Sequence, residues 1–371
     1  GEIEYYQRND GNDTAQLTTN RLLRDIYAWY HIVVQFDTTL GTADDRIKYY
    51  VNGTQETSMQ TRSNPAQNLD MRPNQASQTL HIGSDGNSGS YFDGVLSHFH
   101  LVDGYIEAPT VFGETDSTTG EWKIKTSPSV SYGTNGFWFF KDDNALTDHS
   151  PNSNSYSLTA GTLTKTEDNP SNVFNVINVL SAGTNATYSN GNTQMRNDTT
   201  TWNSALGTLA FGTGKYYFEG YRHGNGGTAN VGITTSDKFG GNHSGVDTGR
   251  VMYSSNGTIY REGLGLSAPS VATFGDTDIV GVSMDTENGI LKFYKNGSLI
   301  HTETNSAFST TEYIPAFACH NGGEWRFNFG NGYFGSTQIS SAGNNASGNG
   351  IFEYDVQPTD ATALSTKGLN L

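Results

Sequence analysis

Two stretches 244 positions apart carry one pattern: Ile47-Lys48-Tyr49-Tyr50-Val51-Asn52-Gly53 and Leu291-Lys292-Phe293-Tyr294-Lys295-Asn296-Gly297. Each is a β-rich run ending on Asn-Gly, and each follows an earlier run that ends on an aspartate, Asp37 or Asp285. Asn-Gly supplies the two positive-φ positions of a primed two-residue turn, so both stretches read as hairpins with one buried face. Matching hairpins this far apart predict two sandwiches of related design, not a short-period propeller.

Further strand signals lie at 29–37, 79–83 and 91–104 in the first half, and at 215–220, 231–234, 278–285, 313–319 and 325–330 in the second. Few stretches carry apolar residues at three- and four-residue spacing, which argues against helices. The 44 Gly, 20 Tyr and 19 Phe suit tight turns and pleated, half-buried surfaces. The fold class is therefore all-β: two tandem antiparallel β-sandwiches of the jelly-roll type, joined by an irregular connector. The boundaries read as a first sandwich over 1–110, a connector with short strands over 111–171, a second sandwich over 172–336, and a tail or linker over 337–371. Within the first sandwich, the polar stretch 55–77 reads as a long loop. The connector contains Gly136-Phe137-Trp138-Phe139-Phe140 and is too aromatic for a free linker, so it should pack on a sandwich.

A formal charge of −16 without a run of Lys or Arg argues against a nucleic-acid partner, because phosphate binding needs a basic stripe. No apolar stretch approaches the roughly 20 residues of a membrane-spanning helix, so membrane insertion is not expected. The single cysteine, Cys319, excludes an intrachain disulfide and sits in the apolar run 314–319, where it reads as a small buried hydrophobe. A two-domain extracellular chain without disulfides is usual for a bacterial or phage protein. No signal peptide is visible, and the chain opens at Gly1 in strand-like sequence, which suggests a fragment or a processed product.

Reactive constellations are weak. Glu114 and Asp116, with Glu121 beyond, are the nearest approach to the paired carboxylates of a retaining glycosidase, but the 113–120 run reads as a turn. His98 and His100 alternate and could share a face for zinc, yet they also suit an ordinary sandwich strand. There is no Gly-x-Ser-x-Gly elbow, and Gly224-Asn225-Gly226-Gly227 precedes a strand where a phosphate loop needs a helix. The expectation is a binding protein, not an enzyme.

Residues Ala28-Trp29-Tyr30-His31-Ile32-Val33-Val34, the 47–53 hairpin, His81-Ile82-Gly83, Tyr91-Phe92-Asp93-Gly94 and Val102-Asp103-Gly104 resemble the C-terminal part of a laminin-G-like, concanavalin A-type jelly roll. Only 28 residues precede Trp29, so that family's N-terminal strands would be largely missing, in line with a fragment. Residues 172–336 resemble a SPRY domain, through Gly214-Lys215-Tyr216-Tyr217-Phe218-Glu219, Val231-Gly232-Ile233, the 275–285 strand, 290–297, Ile314-Pro315-Ala316 and Asn328-Phe329-Gly330. The two modules in tandem, with the 112–116 and 132–137 connector segments and the 361–370 tail, resemble large virion surface proteins of marine bacteriophages.

That resemblance implies a tail fibre or adhesin on the virion surface, outside the cell. Its partners would be other virion subunits and a host surface glycan or protein, and long fibres of this kind are commonly homotrimers. The alternative is a decoration protein that contacts only capsid or tail subunits. A SPRY module implies recognition by loops at one end, here 225–228, 238–247, 253–261 and 320–324, with Asn225, His243, Arg250, Tyr253, Tyr260, Arg261, His320 and Asn321 as candidate ligand contacts. Trp202 reads either as an exposed platform or, preferably, as core. The laminin-G-like module implies calcium as the one candidate cofactor, with Asp85, Asp93 and Asp103 as donors.

Overall fold

Both Asn-Gly pairs make the turns their chemistry calls for, with φ of +48° and +76° at Asn52 and Gly53 and +49° and +76° at Asn296 and Gly297. They belong to a computed structural model that describes all residues except 10–11, 25–27, 76–77, 85–90, 93, 118–119, 142–145, 160–168, 171, 225, 239–248, 263–268 and 371. The chain divides into two units, Gly1–Lys165 and Thr166–Leu371. Strands dominate both, in antiparallel sheets.

Unit 1 holds β1 (Glu4–Asn9), β2 (Asn12–Thr19), β3 (Ile32–Phe36), β4 (Ile47–Val51), β5 (Thr54–Glu56), β6 (Met59–Ser63), β7 (Phe99–Leu101), the short helix α1 (Pro109–Phe112), β8 (Gly113–Thr115), β9 (Trp122–Ile124) and β10 (Phe137–Phe139). Sheets β1-β2-β6 and β3-β4-β5 bury Ala15, Leu17, Ile47 and Tyr49 between them, with Tyr5, Phe36 and Met59 packed around. The Tyr49 hydroxyl donates to the Leu17 carbonyl at 3.0 Å and ties one sheet to the other. The aromatic run in the connector forms β10, which pairs with β7, so that Phe137, Trp138 and Phe139 are buried within unit 1.

Two expectations for this unit fail. The 55–77 stretch is not one long loop, because β5 and β6 lie in it and β6 pairs with β2. Its polar composition hid them: Glu56 is buried against Arg21 at 2.5 Å, a contact that no apolar alternation announces. Residues 79–83 form no strand, and only an isolated Ser84–Tyr91 bridge marks the expected return. No sheet layer receives these side chains, and Leu80, Tyr91, Phe92, Val95 and Leu96 are exposed.

Unit 2 contains β11 (Ile177–Asn178), β12 (Thr187–Ser189), β13 (Gln194–Asn197), β14 (Asn203–Gly207), β15 (Lys215–His223), β16 (Ala229–Thr235), β17 (Arg250–Ser254), β18 (Ile259–Glu262), β19 (Ile279–Asp285), β20 (Ile290–Lys295), β21 (Ser298–Thr304), β22 (Tyr313–Cys319) and β23 (Gly323–Asn328). One sheet runs β11-β14-β22-β16-β17-β18 and the other β12-β13-β23-β15-β19-β20-β21. Period-2 alternation turns Ala205, Val231, Tyr253 and Phe317 of the first sheet toward Phe218, Val282, Phe293, Trp325 and Phe327 of the second, in one continuous core. Cys319 is fully buried in it, and burial pushes its thiol up to about 12.

The stretch after 336 is no linker. Phe352, Val356, Ala361, Ala363 and Leu364 are buried in the unit 2 core, and Thr362–Ala363 adds a parallel pairing to β15. The tail is pinned by Glu219, a fully buried carboxylate that accepts the backbone N–H groups of Glu353 and Tyr354, both at 2.9 Å, and the Tyr217 hydroxyl at 3.1 Å. Burial raises its pKa to about 7 against the pull of those donors.

Candidate binding rim

Strand register decides which loops of unit 2 can act together. Residue 197 at the end of β13, 223 at the end of β15 and 319 at the end of β22 all reach one end of the sandwich, since Asn197 pairs with Gly323, His223 with Glu324 and Asn203 with Cys319. The described residues of 198–202, 224–228 and 320–322 therefore meet there, with 225 outside the described set.

Backbone bonds fuse them. Asn321 N donates to Thr199 O at 2.8 Å, Gly322 N to Asn197 O at 2.7 Å, and His320 N to Thr228 O at 3.0 Å. The buried Asn197 amide donates to Thr201 O and Cys319 O at 2.7 and 2.9 Å and accepts from Thr199 N at 2.9 Å. Gly227, at φ +55°, passes so close to the 320 turn that a Cβ there would lie 1.6 Å from His320 O.

Beneath the loops sits Arg222. Its row partner is Trp325, so it occupies an inward-facing position at the mouth of the core, 3% exposed. The guanidinium donates to the carbonyls of His223 at 2.5 Å, Glu324 at 3.2 Å and Gly227 at 3.3 Å, and also to Gly226. Burial lowers its pKa, and these four carbonyls take four of its five N–H donors. On top, the half-buried rings of Trp202 and His320 lie 5.2 Å apart at 31°, next to exposed Asn321. The result is a platform: an aromatic pair framed by hydrogen-bonding groups, on segments bonded to one another.

Of the eight candidate ligand contacts, His320 and Asn321 lie on this platform, while Asn225 and His243 fall outside the described residues. The other four belong elsewhere, because 250–254 and 259–262 are strands and not a loop. Tyr253 is fully buried in the core with its hydroxyl on the Ala272 carbonyl. Arg250 pairs with Glu262 at the end of the sheet opposite the platform, where β16 ends and β17 begins, and 239–247 of the candidate loop 238–247 lies outside the described residues. Tyr260 packs on Met252, Leu206, Ile314 and Ala316 on the outer face. Arg261 closes the sandwich edge, with Nε 2.5 Å from Glu303, which His301 also meets at 3.2 Å.

In unit 1, Asp85 and Asp93 fall outside the described residues, and the carboxylate of Asp103 accepts Asn135 N and Nδ2, both at 3.0 Å. Both N–H groups land on Oδ2, and no group of three His, Cys, Asp or Glu converges among the described residues. His98 and His100 do not form a metal pair: His98 bonds Ser97, whereas His100 Nδ1 meets the Tyr132 hydroxyl at 2.8 Å. Glu114 and Asp116 share Lys123, at 3.8 and 2.9 Å.

Residues 215–332 match the SPRY domain family. Residues 1–112 match the concanavalin A-like lectin/glucanases superfamily. A concanavalin A-like module is thus followed by a SPRY module, and modules of these two kinds are typically protein- or glycan-binding. Similar solved structures include the SPRY domain of human HERC1, 18% identical with a TM-score of 0.35 over 41% of this chain and 96% of that one. Stonustoxin is 17% identical with a TM-score of 0.34, over 42% of this chain and 27% of that one. The TRIM65 PSpry domain is 13% identical with a TM-score of 0.32, over 41% and 87%. No curated protein matches the chain.

Sequence reasoning missed Arg222 and Asn197, and Trp202 is half-buried, between the exposed and the core position that the sequence allowed. Arg222 did carry a signal: a lone cation at an inward position of a strand, immediately before a glycine-rich turn.

Proposed function

We propose that this chain is a non-enzymatic adhesin of a virion surface whose SPRY rim holds a host surface glycan. The reading rests on the Trp202–His320 pair, presented on three loops that are bonded to one another before any ligand arrives. Half-exposed rings give a flat apolar face for a sugar ring, and Asn321 with the neighbouring hydroxyls gives directional bonds for its hydroxyl groups. Full-length protein on a glycan array is expected to retain a defined set of glycans. Trp202→Ala should weaken retention at least about tenfold, roughly the loss of one stacking contact plus its desolvation, with the melting temperature little changed. Turnover of any bound polysaccharide, or retention unaffected by Trp202→Ala, would overturn it.

A second reading, a decoration protein that contacts only virion subunits, draws on unit 1. Tyr91 and Phe92, 63% and 55% exposed, line one surface hollow with Ile82, Leu96 and Phe99, and large apolar side chains grouped on a surface favour a protein neighbour.

A further inference from the structure

Within unit 1, the ribbon β8–β9 is fastened by a single indole. Trp122 lies against the Asn52-Gly53 turn and Gly113 so tightly that a Cβ would come within 2.3 Å of its ring at Gly53 and 2.5 Å at Gly113. Its ring stacks on His31 with centroids 5.8 Å apart at 16°. Its Nε1–H donates to His31 Nδ1 at 3.0 Å. His31 is in turn held by Asn52, whose side-chain oxygen accepts His31 N at 2.9 Å and whose N–H donates to His31 O at 2.8 Å.

The chemistry of this bond fixes a protonation state. An indole nitrogen is only ever a donor, so His31 Nδ1 must be an acceptor, which requires the neutral imidazole with its proton on Nε2. An imidazolium has two N–H groups and no acceptor, so protonation of His31 sets two donors against each other and breaks the bond. We propose that His31 and Trp122 form an acid-released latch, which holds the 113–124 ribbon on the β3–β4 hairpin at neutral pH and frees it on acidification.

The surroundings reinforce the direction. His98, just before β7, and His100 on it face the same region, and His100, pushed down to about 3, stays neutral between pH 7.5 and 4.5. From the ribbon, Glu114 and Lys123 alternate with Trp122 and Thr115 and so lie on the opposite face, where they bond each other. Asn52, Phe112 and Tyr132, from the remaining neighbours, bring no charge at neutral pH. Burial also holds the His31 imidazole below its usual 6.5. The latch is therefore closed above pH 6.5 and is lost as pH falls through the lowered value.

The test is indole ¹⁵N–H NMR and backbone hydrogen exchange on the full chain between pH 7.5 and 4.5. The Trp122 indole resonance should shift with the same midpoint as the His31 ring, below 6.5. Exchange at 113–115 and 122–124, corrected for intrinsic pH dependence, should accelerate by about tenfold for each unit by which folding lowers that midpoint. His31→Gln keeps an acceptor that does not titrate and should hold the resonance flat. Trp122→Phe removes the donor and should move the His31 midpoint upward, which a purely packing role would not do. An indole signal indifferent to His31 titration, or an unmoved midpoint in Trp122→Phe, would overturn the proposal.

Discussion

Unit 2 closes its core and unit 1 leaves apolar surface open, although both are built on the same Asn-Gly hairpin. In unit 2, two broad sheets face each other and the C-terminal tail seals the outer face of β15, where Phe352 packs edge-on against Tyr217 at 5.0 Å. In unit 1, two three-stranded sheets enclose four fully buried apolar side chains, while Tyr91, Phe92 and Tyr105 are exposed. A shared hairpin sets local geometry; the number of layers over it decides how much apolar surface leaves water. The largest test of that contrast is a pair of truncations. Phe317→Ala, deep in unit 2 against Phe327 at 4.1 Å, should cost about 3–5 kcal/mol in a denaturant melt. Phe92→Ala, 55% exposed in unit 1, should cost no more than about 0.5 kcal/mol. A large loss at Phe92 would mean that unit 1 has a covered core after all.

The two units should also respond to acid with opposite sign. Glu219 in unit 2 has its pKa raised from 4.5 to about 7 by burial. Its contribution is fully present below 4.5 and is lost as pH rises through 7, a change on the order of 3 kcal/mol. In unit 1, His100 is stacked on Trp138 at 4.8 Å and pushed down to about 3, first by burial and then by His98 and His31. Its contribution is present above 6.5 and is lost as pH falls toward 3. Hydrogen exchange resolved by unit, between pH 4.5 and 7.5, should show unit 2 tightening on acidification while unit 1 loosens. Glu219→Gln should flatten the first slope and leave the second. Parallel slopes in the two units would break the comparison.

Much of this was legible from the residues because alternation and turn chemistry are local. The hairpins at 47–53 and 290–297 and strands β15, β16, β19 and β22 follow from period-2 apolar runs closed by Gly or Asn. What stayed hidden depends on partners far along the chain. The tail at 351–364 has short apolar pieces broken by Asp, Glu, Gln, Pro and Thr, and the partners that dock it, the buried core and the carboxylate of Glu219, some 134 positions away, leave no local trace. Strand β6 is polar because it needs only the edge of β2. On the rim, the apolar, strand-forming character of Tyr253 and the 259–262 run was the clue that they were not loop residues, and it was outweighed by the nearby Asn-Gly turn at 256–257. Trp202 could be ranked either way, since half-burial on a platform leaves no periodic trace.

A smaller effect than that of Phe317→Ala concerns a place where unit 1 is as closed as unit 2. Tyr49 is fully buried, and its hydroxyl crosses from β4 to the carbonyl of Leu17 on β2. Tyr49→Phe keeps the ring and leaves that carbonyl without this donor, at a cost of about 1 kcal/mol. Because the bond spans the two sheets, the loss should appear in hydrogen exchange on β2 and β4 together and not on β7 or β10. If exchange rose on β4 alone, the sheets would be held by the packing of Ala15, Leu17 and Ile47, and the hydroxyl would be a local partner only.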